Sequence, residues 1–365
     1  MKVAIIPTAT RTGERTLSRC LIRGLQQQED IEVQVLKHFA LSRPNVKIFL
    51  GSLLLKYLIK DESVAVVHNV DNLGPFLFRH KDFAIRKVLS VHDISPLMLT
   101  QPFEAAVSDR VVRFDFTTLL PRIIKNTDLI IVPSYSTRGD LISTFGAKKE
   151  NIVVTPYGVD TSFFYPREDY AAVLDKYRLR RKFLLYVGND RTRKNLKTLV
   201  RAYADIFKEI PHDLVLVGPI SPNRLRAYIN LTDLSAKLKK EVRARIIVLG
   251  YVTRDDLPII YSAATAFVFP SLYEGFGLPP LEAMACGTIA IVSKNSSLNE
   301  VVGDCGILID DPLDPEEISA RILEAIEEDA SPNDLVRRGI ERAKHFTWDK
   351  TVQATIAAYY QVTQT

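Results

Sequence analysis

Glu274 and Glu282 enclose a glycine loop in the run SLYEGFGLPPLEAMACG, residues 271–287. An apolar, strand-like stretch at 266–269 precedes the run, and a helix is expected after Gly277. Pro279 and Pro280 suit that helix's first turn, where a missing N–H costs nothing, and Gly287 suits its end. The main-chain N–H groups of Gly275, Phe276 and Gly277 are then expected at the strand end, beside a helix N-terminus with partial positive charge. A phosphate is the natural guest there. Carboxylates are poor phosphate ligands but good acceptors for hydroxyls, and each has two oxygens for a diol. Diphosphate-binding amides framed by two diol-binding acids describe a site for a nucleotide sugar. Each piece alone also fits a plain glycine turn with two solvated acids; their conjunction favours the first reading.

Three other stretches carry candidate chemistry. In FLLYVGNDRTRKNLKTLVRAY (183–203) a strand, a glycine, a basic loop and a helix follow in order, with Asn195 read as the N-cap. Arg193 and Lys194 are expected beside the helix start, where a diphosphate gains from charge and from main-chain donors. In VLSVHDISPLMLTQ (88–101) His92 and Asp93 stand at a strand end. A neutral imidazole exchanges hydrogen bonds with a sugar hydroxyl; a turn capped by Asp93 also satisfies such a histidine. The loop at 10–13 keeps only Gly13, with Arg11 and Arg15 to supply charge in place of amides. A lone glycine is far from G-x-G-x-x-G, which argues against a dinucleotide site.

The elements that must position these residues read as α/β. Short apolar runs alternate with longer amphipathic stretches, the pattern of parallel sheets. Strands are predicted at 3–7, 32–36, 63–68, 87–92, 129–133 and 151–155, then at 183–187, 213–217, 245–249, 266–269, 288–292 and 306–309. Two sets of six imply two Rossmann-like, doubly wound parallel-sheet domains, 1–168 and 169–345, followed by a terminal helix in 346–365. Such sheets bind ligands at the carboxyl ends of their strands, and two such edges facing one another would make a cleft. Leu17, Leu21 and Leu25 form the buried stripe of the first helix. Ser134 or Ser136 caps the helix holding Asp140 and Leu141, Gly146 ends it, and Gly158 permits a turn. Arg138 is an outlying candidate for acceptor contact.

The chain has 365 residues, 47% of them apolar, enough for two cores. No run approaches the ~18–20 apolar residues that span a bilayer, and the chain enters a strand at once, without a leader. Three scattered cysteines, Cys20, Cys286 and Cys305, suggest no disulfide framework or zinc site, and a reducing cytoplasm fits them best. The net charge of +5 divides into +4 for residues 1–170 and +1 for the rest. So mild an excess does not suggest nucleic acid, though it is compatible with weak attraction to anionic lipid. The stretch VKIFLGSLLLKYLIK (46–60) reads as a core-facing helix of the first domain. Its alternative is an interfacial helix with Lys47, Lys56 and Lys60 at lipid headgroups.

These motifs resemble the signature of the family 4 retaining glycosyltransferases of GT-B fold, strongly from 183 to 310 and more loosely before 130. The resemblance implies that Glu274 contacts the donor sugar and Glu282 holds the ribose hydroxyls. The amides of Gly275, Phe276 and Gly277 would meet sugar and diphosphate. Arg193 and Lys194 would stabilise the leaving nucleoside diphosphate. Lys194 carries more of that weight, since Asn189 stands where some relatives place an arginine. His92 would approach the donor sugar, the Gly13 loop the phosphates or the acceptor, and the main chain at Val252 the nucleobase. Ile289 and Asn299 stand where proline is frequent, and Glu300 is read as structural. The terminal helix would return to the first domain.

The implied reaction transfers a hexosyl group from a nucleotide-diphosphate sugar, of GDP-mannose or UDP-glucose type, to a sugar, glycan or lipid-linked acceptor. No metal or other cofactor is expected, because fixed cations do that work. The leaving phosphate would itself take the acceptor proton on the same face. A cytoplasmic location, with peripheral contact at the inner face of the membrane, would suit a lipid-linked acceptor. Two alternatives share the scaffold: a sugar-nucleotide epimerase or phosphorylase, and a sugar-nucleotide-binding protein without catalysis.

Overall fold

Short runs of branched and aromatic residues become twelve strands in two parallel sheets, each within two residues of its predicted place. The structure is a computed structural model that describes residues 1–7, 13–36, 52–55, 57, 59, 61–77, 84–99, 107–232, 234–329 and 334–364. It divides into two units, Met1–Gly158 with Phe346–Thr365, and Val159–His345.

In the first unit the strands are β1 (Lys2–Ile6), β2 (Glu32–Val35), β3 (Val64–Asn69), β4 (Arg86–Ser90), β5 (Leu129–Val132) and β6 (Ile152–Val154). They lie in the order β2-β1-β3-β4-β5-β6, every pairing parallel. β5 reads LIIV and is buried at every position, because both faces of a parallel sheet are covered. Leu17, Leu21 and Leu25 of the helix Gly13–Gln26 share one core with Val352, Ile356 and Tyr359 of the helix Trp348–Gln364. Leu55, Ile59, Phe116, Leu120 and Ile123 belong to the other. Leu55 and Ile59 thus face inward, while Leu53 and Tyr57 are exposed; Lys47, Lys56 and Lys60 lie outside the described residues.

The second unit contains β7 (Phe183–Val187), β8 (Asp213–Val217), β9 (Ile246–Gly250), β10 (Ala266–Phe269), β11 (Ile289–Ser293) and β12 (Ile307–Ile309). Their order is β12-β11-β10-β7-β8-β9, again all parallel. The order reverses between β7 and β10. Such a switch point, at the carboxyl ends of the strands, is where open parallel sheets bind ligands. The first sheet has its switch between β1 and β3.

Local signals act as their chemistry demands, with two differences. Ser134 caps the helix Tyr135–Phe145 by accepting from Thr137 N at 3.1 Å, and Gly146 ends it with φ +63°. Asn195 precedes the helix Leu196–Ile206, but its backbone is left-handed (φ 55°) and its side chain caps no main-chain N–H. It accepts from Thr198 Oγ1 at 2.6 Å instead and donates to Pro312 O. Gly158 is required for closeness rather than for a turn of unusual φ: a Cβ there would stand 2.1 Å from Trp348 N. None of the described helices is long and apolar enough to cross a membrane.

Candidate active site

The loops that leave β7 and β10 are tied to each other at the switch point of the second sheet. Leu272 N donates to Arg193 O at 2.7 Å, and Ser271 Oγ lies 2.9 Å from the same oxygen. After β7 the chain passes Gly188 and Asn189, makes a 3-10 turn at Thr192–Lys194, and enters the helix Leu196–Ile206. This geometry turns Arg193 and Lys194 toward the β10 loop, where one carboxylate meets both. Arg193 Nη1 stands 2.8 Å from Glu274 Oε2, and Lys194 Nζ stands 2.7 Å from Glu274 Oε1. Ser271 Oγ adds a contact of 2.6 Å to Oε1, and the Lys194 ammonium sits 4.5 Å from the centre of the Phe269 ring.

Lys194 and Glu274 are both buried, at 8% and 7% exposure, so these charges interact across protein rather than water. Burial alone pushes the Glu274 carboxyl up. Arg193 and Lys194, helped by hydrogen bonds from Lys194 and Ser271, outweigh that and bring it down to about 2. Glu274 is therefore ionised at any working pH. Two cations share one anion, which leaves the cluster a net positive charge.

The glycine loop is held from below by the residues after β11. Glu274 N donates to Ser296 Oγ at 3.0 Å, and Asn295 Nδ2 donates to Leu272 O at 2.8 Å. Ser297 Oγ lies 2.8 Å from Glu274 O and 2.7 Å from Phe276 O. Gly277 opens the helix Leu278–Ala285 with φ +118°, and a Cβ there would stand 2.8 Å from Leu298 Cδ2. Pro279 and Pro280 occupy the first turn, and Gly287, in the left-handed region, follows the last. Phe276 is buried.

Glu282 projects from that helix against Tyr261, whose hydroxyl donates to Oε2 at 3.1 Å. Burial pushes its carboxyl up to about 7, while the Tyr261 hydrogen bond and the charge of Arg254 pull the other way. The two acids of the motif thus sit in opposite electrostatic environments. Asn189 is occupied by its own loop: its carbonyl accepts from Tyr186 Oη at 2.6 Å and its side chain from Arg191 N at 3.2 Å. Val252 is half-buried in the turn beyond β9, which ends on Gly250 at φ +66°.

In the first unit, His92 lies just past β4 and is buried, at 5% exposure. Its N–H donates to Asn72 Oδ1 at 2.6 Å, and Nδ1 is 2.5 Å from Tyr157 Oη. Nε2 is buried without a hydrogen-bond partner among the described residues. Asp93 turns the chain by accepting from Ser95 N and Oγ at 3.0 and 2.7 Å. Gly13 begins the first helix; the loop before it, with Arg11, lies outside the described residues, as does the side chain of Arg15. Among the described residues no group of three or more His, Cys, Asp or Glu is arranged to hold a metal ion.

Ser271, Asn295, Ser296 and Ser297 hold the glycine loop, and their only signal was polarity at strand ends. His68 stands near the end of β3. Fully buried, it bridges Tyr359 Oη (2.7 Å) and Ser90 Oγ (2.8 Å). Burial, with His92 nearby, lowers its pKa to about 3, so it is a neutral crosspiece of the core.

Comparison with known proteins places this geometry. Residues 10–163 match the model of Glycosyltransferase Family 4, and residues 175–342 that of Glycosyl transferases group 1. The chain is 36% identical to the O-antigen chain mannosyltransferase B of Escherichia coli, over 75% of this chain and 70% of that one. It is 28% identical to the serotype-specific mannosyltransferase WbdA of Escherichia coli, over 76% of this chain and 34% of the longer protein. Among solved structures, sucrose-phosphate synthase from Thermosynechococcus elongatus superposes with a TM-score of 0.79 at 23% identity, covering 99% and 98% of the two chains. The chain belongs to the family 4, group 1 glycosyltransferases and has their GT-B fold.

Proposed function

We propose that this glycosyltransferase is a retaining, metal-independent mannosyltransferase that uses GDP-mannose and extends a glycan or lipid-linked acceptor in the cytoplasm. The observation that carries the reading is the Arg193–Glu274–Lys194 cluster at the switch point of the second sheet. Its net positive charge suits a diphosphate, and a lysine with three N–H donors can keep Glu274 while bonding a phosphate oxygen. As charge develops on the departing diphosphate, cations already in place stabilise it without reorganising, and a bound metal has no vacant role. Glu274, ionised and held by three partners, is the hydroxyl acceptor for the sugar; Glu282 is the acceptor for the ribose diol. In the first unit, His92 is assigned to a sugar hydroxyl on the family resemblance, with Nε2 buried and without a partner among the described residues. Retention follows if the departing phosphate takes the acceptor proton on the face it leaves.

The mannosyl assignment rests on two relatives that are mannosyltransferases by name; GDP is our choice among the donor types that the family resemblance leaves open. A thermal-shift screen of GDP, UDP, ADP and their sugars tests the donor, since a tight ligand raises the melting temperature by mass action. GDP and GDP-mannose are expected to give the largest shifts, and a preference for UDP or ADP would overturn the assignment. NMR of the product anomer tests retention, and transfer undiminished in a chelator tests the absence of a metal. Conversion of the donor without acceptor into another sugar nucleotide would instead identify an epimerase.

A further inference from the structure

Tyr157 lies 65 residues from His92 in sequence, yet its hydroxyl meets Nδ1 at 2.5 Å and its ring meets the imidazole edge-on, with centroids 6.1 Å apart. The tyrosine is itself fixed. Its ring stacks on Trp348 with centroids 6.4 Å apart and planes 20° from parallel. Its neighbours are gripped by the start of the helix Trp348–Gln364. Thr351 Oγ1 donates to Pro156 O at 2.7 Å, and Gly158 lies so close to Trp348 that a Cβ would meet the Trp348 main chain. The other face of the arrangement is unfinished, because His92 Nε2 is buried without a partner among the described residues. Buried polar atoms are rarely left so unless something outside the chain completes them.

We propose that Tyr157 is a positioning residue for His92, held by the terminal helix through Trp348, and that its bond to Nδ1 fixes the imidazole in one orientation and one tautomer. Nε2 is then committed in advance to one role toward a hydroxyl, as donor. A tyrosine hydroxyl can donate or accept, but the phenol is the stronger acid and the imidazole the stronger base, so the hydroxyl donates to Nδ1 and the proton stays on Nε2. This inference rests on the reading of His92 as a sugar-hydroxyl partner for its use in catalysis, but not for its structural content.

The test uses the full chain labelled with 15N-histidine. Long-range 1H–15N correlation reads the tautomer of each ring, and His92→Gln assigns the His92 signals. The unsubstituted chain is expected to show His92 in a single tautomer. Tyr157→Phe keeps the ring stack on Trp348 but removes the hydroxyl, and is expected to give a mixture of tautomers. Trp348→Leu is expected to shift the same signals by loosening the tyrosine. GDP release from GDP-mannose should fall about 10- to 100-fold in Tyr157→Phe, as misplacement of a site group by about an ångström does. The double variant with His92→Gln should be no slower than His92→Gln alone, since Tyr157 acts through the histidine. An unchanged tautomer in Tyr157→Phe, or a double variant slower than His92→Gln, overturns the proposal. Full GDP release by His92→Gln would overturn the role of His92 in transfer, and the tautomer spectra would still decide whether Tyr157 sets the ring.

Discussion

Lys194 Nζ and Glu274 Oε1 stand 2.7 Å apart, both buried, with Arg193 closing on the other oxygen of the same carboxylate. Removing the acid takes from both cations the carboxylate they share. Glu274→Ala should therefore cost about 3 kcal/mol in the ligand-free protein, the usual scale for breaking a buried pair. Added GDP brings a diphosphate that replaces the missing charge, so its thermal shift should exceed that of the unsubstituted chain. Sugar transfer should be lost. A GDP shift no larger than in the unsubstituted chain would show that the cations do not face the diphosphate.

Lys194→Ala keeps Arg193 as partner for Glu274 and removes the cation proposed for the leaving group. Transfer should fall at least about 100-fold, the scale of losing one electrostatic stabiliser of the transition state. The protein should still melt cooperatively. Near-normal turnover by this variant would end the role assigned to Lys194.

His68 has its pKa lowered from 6.5 to about 3 by burial, with His92 a smaller cause. A depressed base favours the folded state above pH 6.5, and that advantage is lost as the pH falls toward 3, because the unfolded chain takes up the proton first. Between pH 7 and pH 5 the loss should be about 2 kcal/mol. Trp348 is the chain's single tryptophan and lies in the first unit, so its fluorescence follows that unit's unfolding in urea. His68→Gln should flatten the slope, and an equally steep dependence in that variant would refute the assignment.

Glu282 titrates in the opposite sense. Its pKa is raised to about 7 by burial, so its contribution to stability is complete below 4.5 and is lost as the pH rises through 7. Glu282→Gln removes the charge and keeps an acceptor for Tyr261. It should be more stable than the unsubstituted chain at pH 8, by up to roughly 3 kcal/mol, and equal to it at pH 4. The same variant should bind GDP-mannose more weakly at pH 8 if the carboxylate takes the ribose diol. Melting curves at the two pH values and a titration with GDP-mannose separate these outcomes.

Gly277 joins a left-handed backbone to a site where a Cβ would press on Leu298. Gly277→Ala should cost about 1–3 kcal/mol through backbone strain and displace the loop that carries Glu274. A donor KM unchanged from the unsubstituted chain would show that the loop does not need this conformation.

The sequence by itself determined the elements and their chemistry. Short apolar runs marked twelve strands because a buried parallel strand must be apolar on both faces. The prolines and Gly287 bounded the helix Leu278–Ala285, and the motif Glu274–Glu282 with Arg193 and Lys194 singled out the candidate site. These signals are local, since each residue's backbone preference or charge is felt within a turn or two. Only the tertiary structure decided which residues meet. Strand order put the loops after β7 and β10 side by side and set both cations on one carboxylate, 80 residues from Lys194. It gave Glu274 and Glu282, identical side chains, a low and a high pKa, because burial and neighbouring charge are properties of the packed fold. It also joined His92 to Tyr157 and gave Asn195 a left-handed backbone, both outcomes of contacts that no spacing in the chain encodes.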